Sequence, residues 1–373
     1  MKILFVVNEA KFFISHRLLI GQAALARGYE VVVVSAPNTG EEQLAEYGFL
    51  HISVPMTRSG LDFIEEFKTY KALRRVYLDE QPELVHHVTI KPVIYGSFAA
   101  RRSQVQAVVN AVPGMGFVFT RRGVWAAVRR ACVNFLYRLA FAHPRMRVIF
   151  QNTEDLRGFI GHDIVKRENA VLIRGSGVDL SLFPAHAEPQ DPVKFVLVAR
   201  MLRHKGVIEF AEAASMLRRQ HPDWQFLLAG SIDLGNPTGL TETVLHELED
   251  EHGVTWLGQC NDVPKLLSEC HVAVLPSYKE GLPKTLLEAA AAGLPMIATS
   301  IAGCREVITQ GVNGLLVPAR EVQPLAQAML KLGEDKDLRK RFGLAAREKA
   351  HAVFSVDDVV DHTFRVYDDL LNQ

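Results

Sequence analysis

Short unbroken runs of β-branched and aliphatic residues recur along this chain, each separated from the next by room for one helix. Ile3 to Val7 is followed by a helix-like stretch from Ser15 to Arg27 and then by Val31 to Val34, the pattern of a β-α-β unit. Runs that are apolar throughout suit strands buried on both faces of a parallel sheet. Further runs at Leu84 to His87, Ala107 to Val109, Val148 to Phe150 and Val171 to Ile173 continue the alternation. The first half therefore reads as a doubly wound, Rossmann-like α/β domain.

The segment from Phe183 to Pro192 holds three prolines and little apolar content, which suits a linker. After it the pattern restarts at Phe195 to Val198, Phe226 to Leu228, Val254 to Leu257, Val272 to Leu275, Met296 to Ala298 and Leu315 to Val317. Helical stretches from about Val322 to His351 and from Val356 to Leu371 close the sequence. The expected organisation is one domain over 1–187, a second over 188–354, and a helix over 355–373 packing back on the first. Two such domains would face a cleft, with ligands beyond the carboxyl ends of the strands.

At 373 residues, 48% hydrophobic and 23% charged, the chain can bury two substantial cores. It has no apolar run near the roughly 20 residues that span a bilayer, and no signal-peptide pattern at its start, so a cytoplasmic location is expected. Cys132, Cys260, Cys270 and Cys304 form no C-x-x-C pair, and buried free thiols are expected. The net charge of +0 hides an asymmetry: residues 1–190 carry 23 Lys and Arg against 17 Asp and Glu. Between Leu84 and Thr153 there is no acid at all, whereas ten Lys and Arg fall there, so an anionic partner is expected.

One loop is rich in chemistry. In Glu280-Gly-Leu-Pro-Lys-Thr-Leu-Leu-Glu288, Gly281 permits a close ligand approach and Pro283 suits a helix start, whose free N–H groups favour phosphate or sugar oxygens. Glu288 then lies on a helix otherwise made of Leu and Ala, where a carboxylate needs a partner such as the two hydroxyls of a ribose. Helix capping or a salt bridge is the plainer alternative for both glutamates. A second loop, Ala199-Arg200-Met-Leu-Arg203-His204-Lys205-Gly206, offers cations suited to a diphosphate.

Together these segments resemble the retaining glycosyltransferases of family 4, which share the two-domain GT-B fold. Glu280 and Glu288 match that family's E-x7-E motif, and Gly303 to Val307 and Gly311 to Pro318 match the segments that follow it. The resemblance implies that Glu280 contacts the donor sugar, Glu288 the ribose, and Gly281, Leu282, Pro283 and Lys284 the sugar and phosphate. It also implies that Arg200 and Lys205 hold the diphosphate, and that Gly230 and Leu257 border the base. No D-x-D pair stands in a suitable loop, so no metal or other cofactor is expected.

In the first half, the loop from Asn8 to Arg17 has no glycine, and Asn110-Ala-Val-Pro-Gly114-Met-Gly116 replaces the histidine-bearing loop of many family members. The Val-Pro-Gly-Met-Gly form resembles a subgroup that extends polyprenyl-diphosphate-linked sugars in bacterial surface polysaccharide assembly. His16, Arg17, Asn110 and Gly114 are accordingly the candidate acceptor contacts, and a UDP-linked N-acetylhexosamine the expected donor. His86 and His87 read as packing residues. The stretch 117–147 interleaves aromatic residues with seven arginines, which fits peripheral attachment to an anionic membrane on the cytoplasmic side. Nucleic acid is not an expected partner, because lysine is scarce there. A dehydrogenase is disfavoured by the lack of G-x-G-x-x-G; the rival readings are a glycosyltransferase using a GDP- or other NDP-sugar on a soluble acceptor and a sugar-nucleotide epimerase of the same fold.

Overall fold

The structure is a computed structural model that describes residues 1–57, 62–112, 124–190, 192–233 and 235–372; for 124–127 and 129 it describes the backbone only. The chain forms two compact units, Met1–Ser176 with Asp357–Gln373, and Gly177–Val356.

The first unit runs β1 (Lys2–Val6), α1 (Ala10–His16), α2 (Leu18–Ala26), β2 (Glu30–Ser35), α3 (Glu42–Glu46), β3 (Leu50–Ser53), α4 (Phe63–Glu80), β4 (Leu84–Val88), a π-helical turn at Pro92–Gly96, α5 (Ser97–Arg102), β5 (Ala107–Val112), α6 (Val124–Ala140), β6 (Met146–Phe150), α7 (Thr153–Gly161) and β7 (Ala170–Leu172). All of its strands are parallel, in the order β3-β2-β1-β4-β5-β6-β7. Because side chains alternate across a sheet, Leu4 and Val6 join one core with Leu73, Tyr77, Val93 and Tyr137, while Ile3 and Phe5 join the other.

The second unit contains β8 (Lys194–Val198), α8 (Val207–Arg218), β9 (Gln225–Ala229), α9 (Glu242–His252), β10 (Thr255–Trp256), α10 (Val263–Ser268), β11 (Val272–Leu275), α11 (Lys284–Ala291), β12 (Met296–Thr299), α12 (Ala302–Val307), β13 (Gly314–Val317), α13 (Val322–Glu334) and α14 (Lys336–Val353). Its six parallel strands take the order β10-β9-β8-β11-β12-β13. The two-sheet α/β architecture is therefore that expected from sequence. The proline-bearing segment is tied into this unit, since Arg339 Nε donates to Glu188 Oε1 at 2.7 Å.

The last helix, α15 (Val356–Leu371), adds Val359, Phe364, Tyr367 and Leu370 to the core that holds Ile3 and Phe5. Tyr367 is fully buried, with its hydroxyl 2.6 Å from His86 Nδ1, and the Arg27 guanidinium lies 3.7 Å over the Phe364 ring.

Several local expectations change. The single helix read over Ser15 to Arg27 begins earlier and breaks at Arg17, whose φ of −134° leaves the helical region. The helical stretch read over about Val322 to His351 consists of two helices, divided at Asp335, whose carboxylate accepts from Leu338 N at 2.8 Å and caps α14. Cys132 is exposed and Cys260 half-buried, so only Cys270 and Cys304 are buried thiols. Among the described residues no helix is long and apolar enough to cross a membrane.

Replacing Tyr367 with Ala removes a fully buried aromatic side chain, for which losses of about 3–5 kcal/mol are usual. Amide exchange in β1 and β4 should accelerate accordingly while exchange in β8 and β11 stays unchanged.

Candidate active site

In the second unit the strand order reverses between β8 and β11, the point at which open α/β sheets bind ligands beyond their carboxyl ends. Both loops singled out in the sequence leave from these two strands. After β8 the chain buries Met201 and Leu202, makes a tight turn over Arg203–Lys205, and enters α8 through Gly206 at φ +79°. A side chain on Gly206 would stand 2.3 Å from the Pro276 carbonyl, so the turn lies hard against the loop after β11. Tyr278 N and Ser277 Oγ both donate to the His204 carbonyl, at 2.9 and 3.2 Å, and join the two loops. His204 Nδ1 lies 2.7 Å from Thr238 Oγ1, and burial pushes its pKa down to about 4, so this ring stays neutral at pH 7.

The loop after β11 is fixed from its other side by α12. A Cβ on Gly303 would stand 2.5 Å from the Gly281 carbonyl and 2.8 Å from that of Glu280. Thr299 Oγ1 donates to the Ser277 carbonyl, and Leu282 is buried in the core beneath. Leu282 thus anchors the loop, while Gly281 and Lys284 remain half-exposed.

This scaffold brings the expected charges together. Lys205 Nζ lies 2.5 Å from Glu280 Oε1, with both side chains largely buried. Arg200 Nη1 lies 2.6 Å from Asp233 Oδ2, and Lys284 Nζ lies 3.3 Å from Glu288 Oε1. Burial raises the pKa of Glu288, opposed by Lys284. Gly230, at φ +153°, serves a steric need, because a Cβ there would meet the Ala199 carbonyl at 1.8 Å. Leu257 is exposed, on a strand end whose N–H bonds Leu228 O at 2.8 Å.

Sequence reading missed Asp233, which reaches Arg200 only because β8 and β9 are neighbours. It also missed Tyr278, whose hydroxyl donates to Glu209 Oε1 and whose ring carries the Arg320 guanidinium at 4.5 Å. Burial, followed by that bond, pushes the Tyr278 pKa up to about 12.

The candidate acceptor residues lie in the first unit. His16 stacks on Phe12 with ring centroids 4.3 Å apart, and its Nδ1 lies 2.6 Å from Ser15 Oγ. Arg17 is only 3% exposed; its Nη1 donates to His16 O at 2.9 Å, and its Nε is buried without a partner. Asn110 is fully buried, its Oδ1 accepting from Ser97 Oγ at 3.0 Å and lying 2.8 Å from His87 Nδ1. His87 also meets the Tyr77 hydroxyl at 2.9 Å, so both histidines of β4 are built into the interior. Gly114 and residues 117–123 lie outside the described residues, as do the side chains of Trp125 and Arg129.

The chain belongs to the glycosyltransferases: residues 180–349 match the family "Glycosyl transferases group 1", and residues 2–152 match "Glycosyl transferase 4-like". The chain is 28% identical, over 94% of both sequences, to the N,N'-diacetylbacillosaminyl-diphospho-undecaprenol alpha-1,3-N-acetylgalactosaminyltransferase of Campylobacter jejuni. It is 27% identical to the UDP-Gal:alpha-D-GlcNAc-diphosphoundecaprenol alpha-1,3-galactosyltransferase of Escherichia coli, over 76% of this chain and 75% of that one. Among solved structures, sucrose-phosphate synthase from Thermosynechococcus elongatus has a TM-score of 0.83 at 21% identity, covering 100% of this chain and 99% of its own. Anabaena HepE in complex with UDP-glucose has a TM-score of 0.79 at 19% identity, covering 100% of both chains. The fold is GT-B.

The raised pKa of Glu288 has a testable sign. An acid held more protonated in the folded state contributes less to stability as pH rises through its folded pKa. Glu288→Gln should therefore match the parent protein in urea unfolding near pH 4 and exceed it at pH 8.

Proposed function

We propose that this enzyme transfers a sugar, with retention of anomeric configuration, from a UDP-sugar to a polyprenyl-diphosphate-linked saccharide during assembly of a bacterial surface glycan. The observation that carries the proposal is the grouping of Arg200, Lys205 and Glu280 on the loops that leave the two strands of the switch point. The names of the Campylobacter and Escherichia relatives support the lipid-linked acceptor, and the latter's name supports a UDP donor. An N-acetylhexosamine is the favoured sugar, by analogy with the Campylobacter enzyme.

In this reading Glu288 accepts from the ribose hydroxyls, the start of α11 faces the phosphate oxygens, and Glu280 orients the sugar. Breaking the anomeric C–O bond leaves negative charge on the diphosphate, which Arg200 and Lys205 stabilise electrostatically. The acceptor hydroxyl attacks from the leaving-group side and passes its proton to the departing phosphate. No divalent metal is required, since the two cations neutralise the diphosphate. His16, Arg17, Asn110 and Gly114 serve the acceptor end, and the basic stretch 117–147 attaches the enzyme to the inner face of the plasma membrane.

The test is a panel of sugar nucleotides incubated with a short-chain polyprenyl-diphosphate saccharide, read by mass spectrometry. An acceptor lengthened by one sugar, undiminished by EDTA, is the expected result; an epimerised donor formed without acceptor would favour the rival reading. Glu288→Gln should weaken nucleotide binding by about 1–3 kcal/mol, the usual loss for a charged hydrogen-bond partner. Lys205→Ala, its fold checked by thermal melt, should lower kcat by about 100- to 1,000-fold. A trapped glycosyl-Glu280 adduct would overturn same-face attack.

A further inference from the structure

The first unit has a switch point of its own. Its strand order reverses between β1 and β4, so a ligand of this unit belongs beyond the carboxyl ends of those two strands. After β4 the chain continues Thr89-Ile-Lys91-Pro92 into the π-helical turn. Thr89 has φ +78°, a left-handed conformation that a β-branched residue adopts only under strain. Strain of this kind persists where the surroundings enforce it, and it gathers at ligand sites. Thr89 N donates to the Ala111 carbonyl at 3.3 Å, and Val93 N donates to the Thr89 carbonyl at 3.0 Å, which pins the residue between β5 and the turn. A π-helical turn is itself a device common at functional sites. This one packs on β4 so closely that a Cβ on Gly96 would stand 2.5 Å from His87 Nε2.

The strained segment leaves polar atoms unused. Thr89 Oγ1 is buried without a hydrogen-bond partner, and so is Oδ1 of Asn8. Val6 of β1 pairs with His87 of β4, so Asn8 and Thr89, two residues further along each chain, stand at adjacent strand ends. A buried hydroxyl or amide oxygen with no partner is costly, and a hydrogen-bonding ligand removes that cost. Lys91 supplies charge beside them. Its Nζ lies 2.5 Å from Glu66 Oε1 and 2.6 Å from Thr57 Oγ1, with 12% of the side chain exposed. An ammonium has three protons, so these two partners leave one for a ligand. The arrangement repeats that of Lys205 and Glu280 in the second unit, also 2.5 Å apart and largely enclosed. Each unit thus carries an enclosed lysine, paired with a glutamate, on a loop that leaves a switch-point strand. The loops after β4 and β5 contain no acid.

We propose that the loop after β4 is the subsite for the diphosphate of the lipid-linked acceptor. Lys91 Nζ and the Thr89 hydroxyl donate to its oxygens, and Asn8 Oδ1 accepts from a hydroxyl of the adjoining sugar. Each unit then holds one diphosphate through an enclosed lysine, the donor's at Lys205 and the acceptor's at Lys91. The strain at Thr89 places its hydroxyl at the strand end instead of against the sheet's own hydrogen bonds. The assignment rests on the lipid-linked acceptor argued above, and a free nucleotide diphosphate is the other source of the same chemistry.

The experiment is calorimetric titration of the full chain with farnesyl diphosphate, a prenyl diphosphate without sugar, in saturating UDP so that the donor's diphosphate site is filled. Lys91→Met combined with Glu66→Gln removes both members of the buried pair and strands no charge; a thermal melt checks its fold. Farnesyl diphosphate should bind this variant about tenfold or more weakly, the usual loss for a charged hydrogen bond, while UDP affinity holds. The preference for a diphosphate-linked saccharide over its alkyl glycoside in the transfer assay should fall by a similar factor. Thr89→Gly relieves the strain, so it should melt no lower than the parent and yet bind farnesyl diphosphate about threefold to tenfold more weakly. Equal losses on both acceptors, or parent-like binding by Thr89→Gly, would overturn the subsite. Weakened UDP binding by the double variant would assign Lys91 to the nucleotide instead. Farnesyl diphosphate bound through Lys91 without transfer to any diphosphate-linked saccharide sinks the acceptor reading alone. Transfer that shows no preference for the diphosphate sinks the subsite alone.

Discussion

Three carbonyl oxygens in the second unit occupy space that a side chain on a neighbouring loop would need. The carbonyls of Pro276, Ala199 and Gly281 lie 2.3, 1.8 and 2.5 Å from where a Cβ of Gly206, Gly230 and Gly303 would be. Glycine at those positions lets the loops after β8, β9, β11 and β12 close on one another. Everything else at the switch point follows from that closeness. The Lys205 and Glu280 side chains meet because the backbones carrying them are already in contact, and hydrogen bonds from Tyr278 and Ser277 to the His204 carbonyl keep them so.

The cations so gathered each hold a carboxylate: Lys205 holds Glu280, Arg200 holds Asp233 and Lys284 holds Glu288. Such pairing limits the desolvation penalty of burying the charges. It also sets the terms on which an anion binds, since a diphosphate must compete with carboxylates already in place. Arg200, with nearly half of its side chain exposed, gives way more readily than the enclosed Lys205.

Much of this was legible because strands buried on both faces leave unbroken runs, as in Val31 to Val34. The edge strand β3, Leu-His-Ile-Ser, leaves none; it is half-exposed and passed unnoticed. The break at Arg17 was hidden because Phe-Phe-Ile-Ser-His-Arg-Leu-Leu-Ile carries no helix-breaking residue. Glu280 and Glu288 were legible because both belong to one loop and its helix, whereas Asp233 and Arg200 are joined only by strand order.

The first unit is discontinuous, beginning with β1 and finishing with a helix that follows the whole of the second unit. On the ribosome, β1 therefore emerges long before the Tyr367 and Phe364 that cover its outer face. At about 5–20 residues per second, synthesis of the intervening unit leaves that face covered by α1 and α2 but without its last helix for roughly 10–40 s. The contiguous second unit matures without such a wait. A nascent chain that stalls late would thus carry one finished unit beside one whose hydrophobic sheet is incompletely covered, a form for chaperones and proteases to recognise.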